Sequence, residues 1–353
     1  MHLFEPLDLG GVMLKNRIGV SPMCQYSAEG GHPTSWHLVH LGSRAVGGAA
    51  LIMTEATAVE ARGRISPHDT GIWLDSQAEA WAPIARFIRE QGAVAGIQLA
   101  HAGRKASTDL PWKTGKGLTP EQGGWRPTLA PSAIAFAPAY PMPEAMTIDQ
   151  IDEVVLAFAD AARRALACGF QVVEIHAAHG YLLHEFLSPL SNHRADEYGG
   201  TFDNRTRMVR QVIGAVRAAW PEPLPLLLRI SATDWAEGGW DLEQSCALVA
   251  SIKDSGVTLI DGSSGGTVPG VSIPSGPGYQ TPFAAEIRRR TGARTAAVGM
   301  IIAPEQADHV VRSGQADMVF LAREELRDPY WPRRAAAALG AKIQGPRQYT
   351  RAW

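Results

Sequence analysis

The stretch TIDQIDEVVLAFADAARRALACGFQVVEIHAAHGY, residues 147–181, decides how the rest of the chain is read. Thr147 is followed three residues later by Gln150, the spacing of a capping box, in which each side chain satisfies a free backbone N–H at a helix start. A helical pattern runs on to Gly169, a residue type that ends helices because it takes left-handed backbone angles without strain. The run QVVEIHAA, 171–178, is then nearly continuous in apolar residues, as strands of a parallel sheet are when helices cover both faces. Chemistry-bearing side chains gather where this strand ends, at His176, His179 and Tyr181.

The same unit recurs along the chain. Runs of the same kind are RIGVSPM (17–23), ALIMTEATAV (50–59), VAGIQLAH (94–101), PLLLRIS (225–231), TLIDGSSG (258–265), RTAAVGM (294–300) and MVFLAR (318–323), which makes eight with 171–178. Helical patterns separate them at 75–92, 203–221, 241–256, 283–292, 303–314 and 328–340. Asp75 and Asp203 are the expected N-caps of the first two. The crossover around 34–48 is the least regular. Strand–helix alternation of this kind predicts an α/β fold, a closed (β/α)8 TIM barrel forming a single domain over 1–353. An open doubly wound sheet is the alternative, but no G-x-G-x-x-G follows the first strand. The opening MHLFEPLDLGGVML (1–14) reads as a hairpin turning at Gly10–Gly11, expected to plug the far end of the barrel. The connection 107–146 is too long for a simple loop. Its Trp112, Trp125, Phe136 and Tyr140 point to an ordered flap.

In a barrel all strand C-terminal ends meet on one face, where the chemistry sits. Here that face receives Cys24 and Tyr26, Glu55 and Thr57, Gln98, His101, Arg104 and Lys105, then His176, His179 and Tyr181. Arg229, Ser263, Ser264, Gly299 and Arg323 complete it. Arg229 between Leu228 and Ile230 needs an anionic or strongly accepting partner. A structural ion pair is the plainer reading for one arginine, though not for eight polar strand ends together. Lys105 defaults to a solvated side chain. His37, His40, His184 and His193 are read as structural.

Composition excludes other classes. Lys plus Arg is 33 and Asp plus Glu 35, a net charge of 33 − 35 = −2, so nothing advertises nucleic acid or an anionic membrane. No stretch of about 18 apolar residues suggests a membrane span. Cys24, Cys168 and Cys246 form no disulfide framework, which fits a reducing cytoplasm.

The strand-end segments together carry a resemblance. NRIGVSPMCQYS, EATAV, IQLAHAGRKA, EIHAAHGYLLHEFLSPLSNHRADEYGGTFDNRTR, LRISATDW, AVGMI and FLAREELRDPYWP resemble the Old Yellow Enzyme family of flavin-dependent ene-reductases. The resemblance is strongest to its thermophilic-like branch, which includes the Bacillus NADPH dehydrogenase, and it spans essentially the whole chain. It implies a barrel that holds FMN non-covalently and is reduced by NADPH in a ping-pong cycle. The second substrate it implies is a small activated alkene such as an α,β-unsaturated carbonyl, with net trans addition. By position it implies FMN contacts from Ser21, Pro22, Met23, Cys24, Ala58, Gln98, Arg229, Ala322 and Arg323. The family usually has Gly-Arg where this chain has Ala322–Arg323. His176 and His179 would hold the carbonyl oxygen, Tyr181 would donate the proton, and Tyr26 would touch substrate. The terminal QYTRAW implies a homo-oligomer, dimer or tetramer, in which Arg351 reaches a neighbouring site.

The implied chemistry suits these residue types. A cation at Arg229 favours reduced flavin, and Gln98 both donates and accepts. Backbone N–H groups near Gly299 and Met300, with Arg323, suit a phosphate over the last two strands, where such barrels bind phosphate. The alternative for Gly299 is a tight turn only, and for Arg323 a salt bridge to Glu324 or Asp328. Cys24 is either an ordinary buried small residue or a sulfur that tunes the flavin.

A metal-dependent barrel hydrolase or lyase with His176 and His179 as ligands is the competing function, and a flavin-binding sensor a third. A zinc site needs a third ligand. Glu174 sits deeper on the strand and His184 on a helix leading away, so no metal is expected.

Overall fold

In the computed structural model, which describes residues 2–352, eight parallel strands close into a barrel in chain order. They are β1 (Ile18–Val20), β2 (Leu51–Ala58), β3 (Val94–Ala100), β4 (Val172–Ala177), β5 (Leu226–Ser231), β6 (Val257–Ser263), β7 (Thr295–Ala297) and β8 (Met318–Leu321). The crossover helices are α1 (Ser35–Gly47), α2 (Asp75–Glu90), α3 (Ile148–Ala167), α4 (Phe202–Ala219), α5 (Leu242–Ser251), α6 (Thr281–Thr291), α7 (Pro304–Arg312) and α8 (Trp331–Ala338). This is the expected (β/α)8 barrel. None of the described helices is long and apolar enough to cross a membrane.

The unbroken apolar runs conceal a two-residue period. On β4, Val173, Ile175 and Ala177 pack outward among the helices, and on β5 Leu226, Leu228 and Ile230 do the same. Val172 and Leu227 belong instead to the barrel floor, with Leu51, Val94, Leu259 and Met318. Successive strand side chains alternate faces. Glu174 and His176 therefore rise above Val172, and Arg229 and Ser231 above Leu227. The inward face passes from apolar at the strand starts to polar at the strand ends.

The hairpin Leu7–Asp8 with Met13–Leu14 seals the floor. Its Leu7, Leu9, Val12 and Leu14 pack into the floor cluster, each such burial being worth about 1.5–3 kcal/mol. Gly10 and Gly11 take φ of +84° and +100°, angles that glycine alone adopts cheaply.

The flap is ordered. Leu129–Ala130 pairs with Glu144–Ala145. Trp125 Nε1 donates to the Arg62 carbonyl at 3.0 Å, and Phe136 meets Tyr140 edge to face at 4.8 Å.

Three local expectations change. Residues 35–47 form a regular helix, whose first turn is closed by the Thr34 N–H donating to His37 Nδ1 at 2.8 Å. Capping by an imidazole has no simple sequence pattern. Leu74 rather than Asp75 occupies the N-cap of α2. On α4 the cap is Thr201, whose Oγ1 accepts from Asn204 N–H at 3.3 Å. The helix starts early enough to stack Phe202 on Trp240 at 6.1 Å. The capping box of α3 forms as read, with Gln150 N–H on Thr147 Oγ1 at 3.2 Å and Thr147 N–H on Gln150 Oε1 at 3.0 Å.

Candidate active site

The end of β4 turns sharply back into the barrel mouth. His176 is the penultimate strand residue, and the chain then passes through His179 and Gly180 at φ of +60° and +69°. A left-handed histidine is uncommon and costs conformational energy, so the surroundings must enforce it. The result is a cluster of rings. The His176 centroid lies 5.1 Å from His179 and 5.2 Å from Tyr181, both edge to face.

Two contacts hold the turn. The His179 N–H donates to Ser231 Oγ at 2.9 Å. Lys105 Nζ donates to the His179 carbonyl at 2.8 Å and also to the Gly266 carbonyl. Lys105 thus clips the β4 turn to the loop after β6, and is not the solvated side chain expected. Burial lowers its pKa to about 8, against the pull of Glu185. The two loops touch backbone to backbone. A methyl on Gly266 (φ +97°) would meet His179 main-chain atoms at 2.5–2.6 Å. Gly266→Ala is therefore expected to cost about 1–3 kcal/mol of stability, read as a lower denaturation midpoint than the wild type.

The histidines are neutral donors. Burial, then the charge of Arg229, holds both imidazoles well below their usual pKa. Ser263 Oγ lies 2.6 Å from His179 Nε2. That leaves Nδ1 of His179 without a protein partner among the described residues. His176 Nδ1 is buried and unpartnered. Burial also pushes the Tyr181 hydroxyl well up, with Cys24 the next contribution, so the phenol keeps its proton. Two N–H donors and one O–H donor clustered in this way can bind an oxygen on which charge develops and supply a proton beside it.

Beneath them Gln98 Nε2 donates to Glu174 Oε1 at 2.7 Å, and Arg229 Nε stands 3.0 Å from Asp261 Oδ2. The ion pair allowed as the plainer reading of Arg229 is present, although its geometry is too oblique for a hydrogen bond. Both further metal-ligand candidates are engaged elsewhere. Glu174 is held by Gln98, and His184 Nε2 faces Asp234 Oδ1 at 2.9 Å. No group of three or more His, Cys, Asp or Glu able to hold a metal occurs among the described residues.

Around the mouth, Ser21 and Ala58 are buried, and Pro22, Met23 and Cys24 are half-buried. Burial, with Asp69 and Glu55 adding, pushes the Cys24 thiol well up. Tyr26 takes φ +52° and packs on Trp112 at 5.6 Å. Gly299 (φ +116°), Met300 (φ +50°), Ala322 and Arg323 line a cavity of about 200 Å³ at the ends of β7 and β8. Glu324 and Asp328 pair with Arg327 and Arg334, so the salt bridges considered for Arg323 are taken by other arginines. Arg351 does not join the others. It is exposed, and the tail leading to it lines a cavity with Lys15, Asn16, Gly48 and Gly92, beside the strand starts. Trp353 lies outside the described residues.

Sequence reasoning passed over Ser231 and Asp261 as site partners and did not assign the clip to Lys105. Asp261 carried a signal, since it interrupts an apolar run just as Arg229 does.

A protein-family model described as "NADH:flavin oxidoreductase / NADH oxidase family" matches residues 2–341. The NADPH dehydrogenase of Geobacillus thermodenitrificans is 48% identical over 353 residues, covering 99% of this chain and 98% of that protein. That of Bacillus pumilus is 46% identical, with 99% of each covered. Among solved structures, morphinone reductase in complex with tetrahydroNAD is similar with a TM-score of 0.80 at 26% identity, covering 98% of this chain and 93% of that one. The old yellow enzyme homologue of Zymomonas mobilis has a TM-score of 0.80 at 28% identity, with 98% and 94% covered.

Proposed function

The chain belongs to the NADH:flavin oxidoreductase / NADH oxidase family and is an Old Yellow Enzyme-type NADPH dehydrogenase that uses FMN, and from that premise we propose which residues do the work and on what substrate. The residues fit the cofactor. A flavin needs a cation and mixed donors at its pyrimidine edge and N–H donors at its phosphate. Arg229 and Gln98 are buried inside the barrel, paired in register with His176 and Glu174. Gly299, Met300 and Arg323 surround a cavity where such barrels take phosphate. Ser21, Pro22, Met23, Cys24, Ala58 and Ala322 would complete the contacts, in a single FMN-binding domain over 1–353.

Bound there, FMN would supply hydride chemistry, relaying a hydride from NADPH in one half-reaction to the electron-poor carbon of an activated alkene in the next. His176 and His179 hold the substrate's carbonyl oxygen and stabilise the charge that grows on it. Tyr181 gives its phenolic proton to the carbon next to that carbonyl, and Tyr26 lines the substrate side. The observation that carries this reading is the clustering of two neutral imidazoles and a protonated phenol at the end of β4, their rings 5.1 and 5.2 Å apart.

Purified protein tests it. The solution is expected to be yellow, to bleach with NADPH and to recover with an enone such as cyclohexenone. A colourless protein inactivated by a chelator would instead establish the metal-dependent hydrolase or lyase. Bleaching without recovery by enones, maleimides, nitroalkenes or nitrate esters would establish a sensor.

Arg351 serves a neighbouring subunit in this reading, because the tail before it lies beside the barrel end opposite the site. Deleting residues 349–353 is expected to raise KM for the enone roughly tenfold, the worth of one charged hydrogen bond, and to leave kcat nearly unchanged. Unaltered KM removes the shared-site idea. Three free cysteines suit the cytoplasm as its location.

A further inference from the structure

The barrel interior beneath the histidines holds two carboxyl groups for a single guanidinium. Glu174 and Asp261 are wholly buried and Arg229 is 5% exposed. The strand register places Arg229 beside Asp261 on one side and beside His176 on the other, and Gln98 beside Glu174. Gln98 satisfies Glu174 Oε1 at 2.7 Å, and Arg229 Nε is 3.0 Å from Asp261 Oδ2. Glu174 Oε2 and both Asp261 oxygens have no hydrogen-bond partner. Arg229 is the one opposite charge acting on either acid among the described residues, while Asp261 disfavours the ionised form of Glu174. Gln98 is uncharged, and His176 is held neutral.

With both acids ionised, the cluster would carry an uncompensated negative charge where water does not reach, an arrangement proteins avoid by taking up a proton. We propose that Glu174 and Asp261 share one proton and act as a charge buffer that keeps the Arg229 cluster neutral beneath the cofactor. Burial pushes Glu174 up to about 8 and raises Asp261 as well, in the same sense. Two acids so coupled titrate as a pair, not one by one. Neither reaches the reacting atoms, so both are positioning residues acting through Arg229.

The pair has a signature that a fixed ion pair lacks. If Glu174 is lost, Asp261 remains ionised against Arg229. If Asp261 is lost, Glu174 ionises in its place. Either way the cluster stays neutral. Only loss of both leaves Arg229 unbalanced.

The test uses the holoenzyme and the isosteric variants Glu174→Gln, Asp261→Asn and their double. Infrared difference spectra, wild type minus variant near neutral pH, are expected to show loss of one protonated-carboxyl C=O band in each single variant. Glu185, Glu325 and Asp69, also raised by burial, should cancel in the difference. No lost band in either variant overturns the shared proton. The midpoint potential of bound FMN is expected to stay near wild type in the singles and to shift positive in the double by more than the sum of the single shifts. A potential that moves in the single variants, with the double shift only their sum, overturns the buffer. The potential arm rests on the proposed placement of Arg229 against FMN. Lost bands with an unmoved potential in the double variant would therefore uphold the shared proton and refute that placement.

Discussion

Replacing Tyr181 with phenylalanine is expected to slow the alkene-reducing half-reaction by about 10²-fold or more, the usual worth of a positioned general acid, while bleaching of the flavin by NADPH proceeds at the wild-type rate. The substitution keeps the ring that packs 5.2 Å from His176 and removes only the hydroxyl. Packing loss is therefore a poor explanation for any defect. The pH behaviour carries the same information. Burial, with Cys24 and Tyr26 next, pushes this hydroxyl well above its usual value of 10.0. The acid form then persists through the alkaline range, and the half-reaction should not fall off near pH 10 through loss of this proton. Stopped-flow measurement of each half-reaction checks both points. Equal effects on the two halves would remove Tyr181 as the proton donor.

His176→Ala is expected to lower kcat for enone reduction by roughly 10²–10³-fold, the cost of one donor to a developing oxyanion. His179→Ala should match or exceed it, because it also breaks the Ser263 contact and leaves alanine in a left-handed turn that suits it less than histidine. Stability moves the other way at acid pH. Both imidazoles are held well below their usual 6.5 in the folded state. The unfolded chain therefore takes up protons that the folded site refuses. Wild-type stability from these groups is intact above about pH 6.5 and declines as pH falls below it. A double His176→Ala, His179→Ala variant should lose less stability than wild type between pH 6.5 and pH 4. Denaturation midpoints across that range measure the difference, and parallel curves would mean that the histidines are not held neutral.

Much of this was legible along the chain. Thr147 with Gln150 marks a helix start because the capping contacts span three residues. The run 171–178 marks a covered strand because both its faces are apolar at the positions that meet helices and floor. His176, His179 and Tyr181 lie within six residues of one another, so one strand end brings them together whatever the rest of the chain does. The caps of α2 and α4 were misplaced by one or two residues, because Leu74 and Thr201 fit their backbone geometry better than the nearby acids.

By itself, then, the sequence determined the repeated helix–strand unit, the barrel it closes into and the cluster of chemistry at the end of β4, since each is a pattern of neighbours within a few residues. Only the tertiary structure decided who stands beside whom across the barrel. Gln98 with Glu174 and Arg229 with Asp261 meet through the register of adjacent strands. Lys105 reaches His179 and Gly266 from 74 and 161 residues away. Register and closure depend on how all eight strands twist and stagger together. A local pattern says which face a side chain takes, but not its level in the barrel or its partner there.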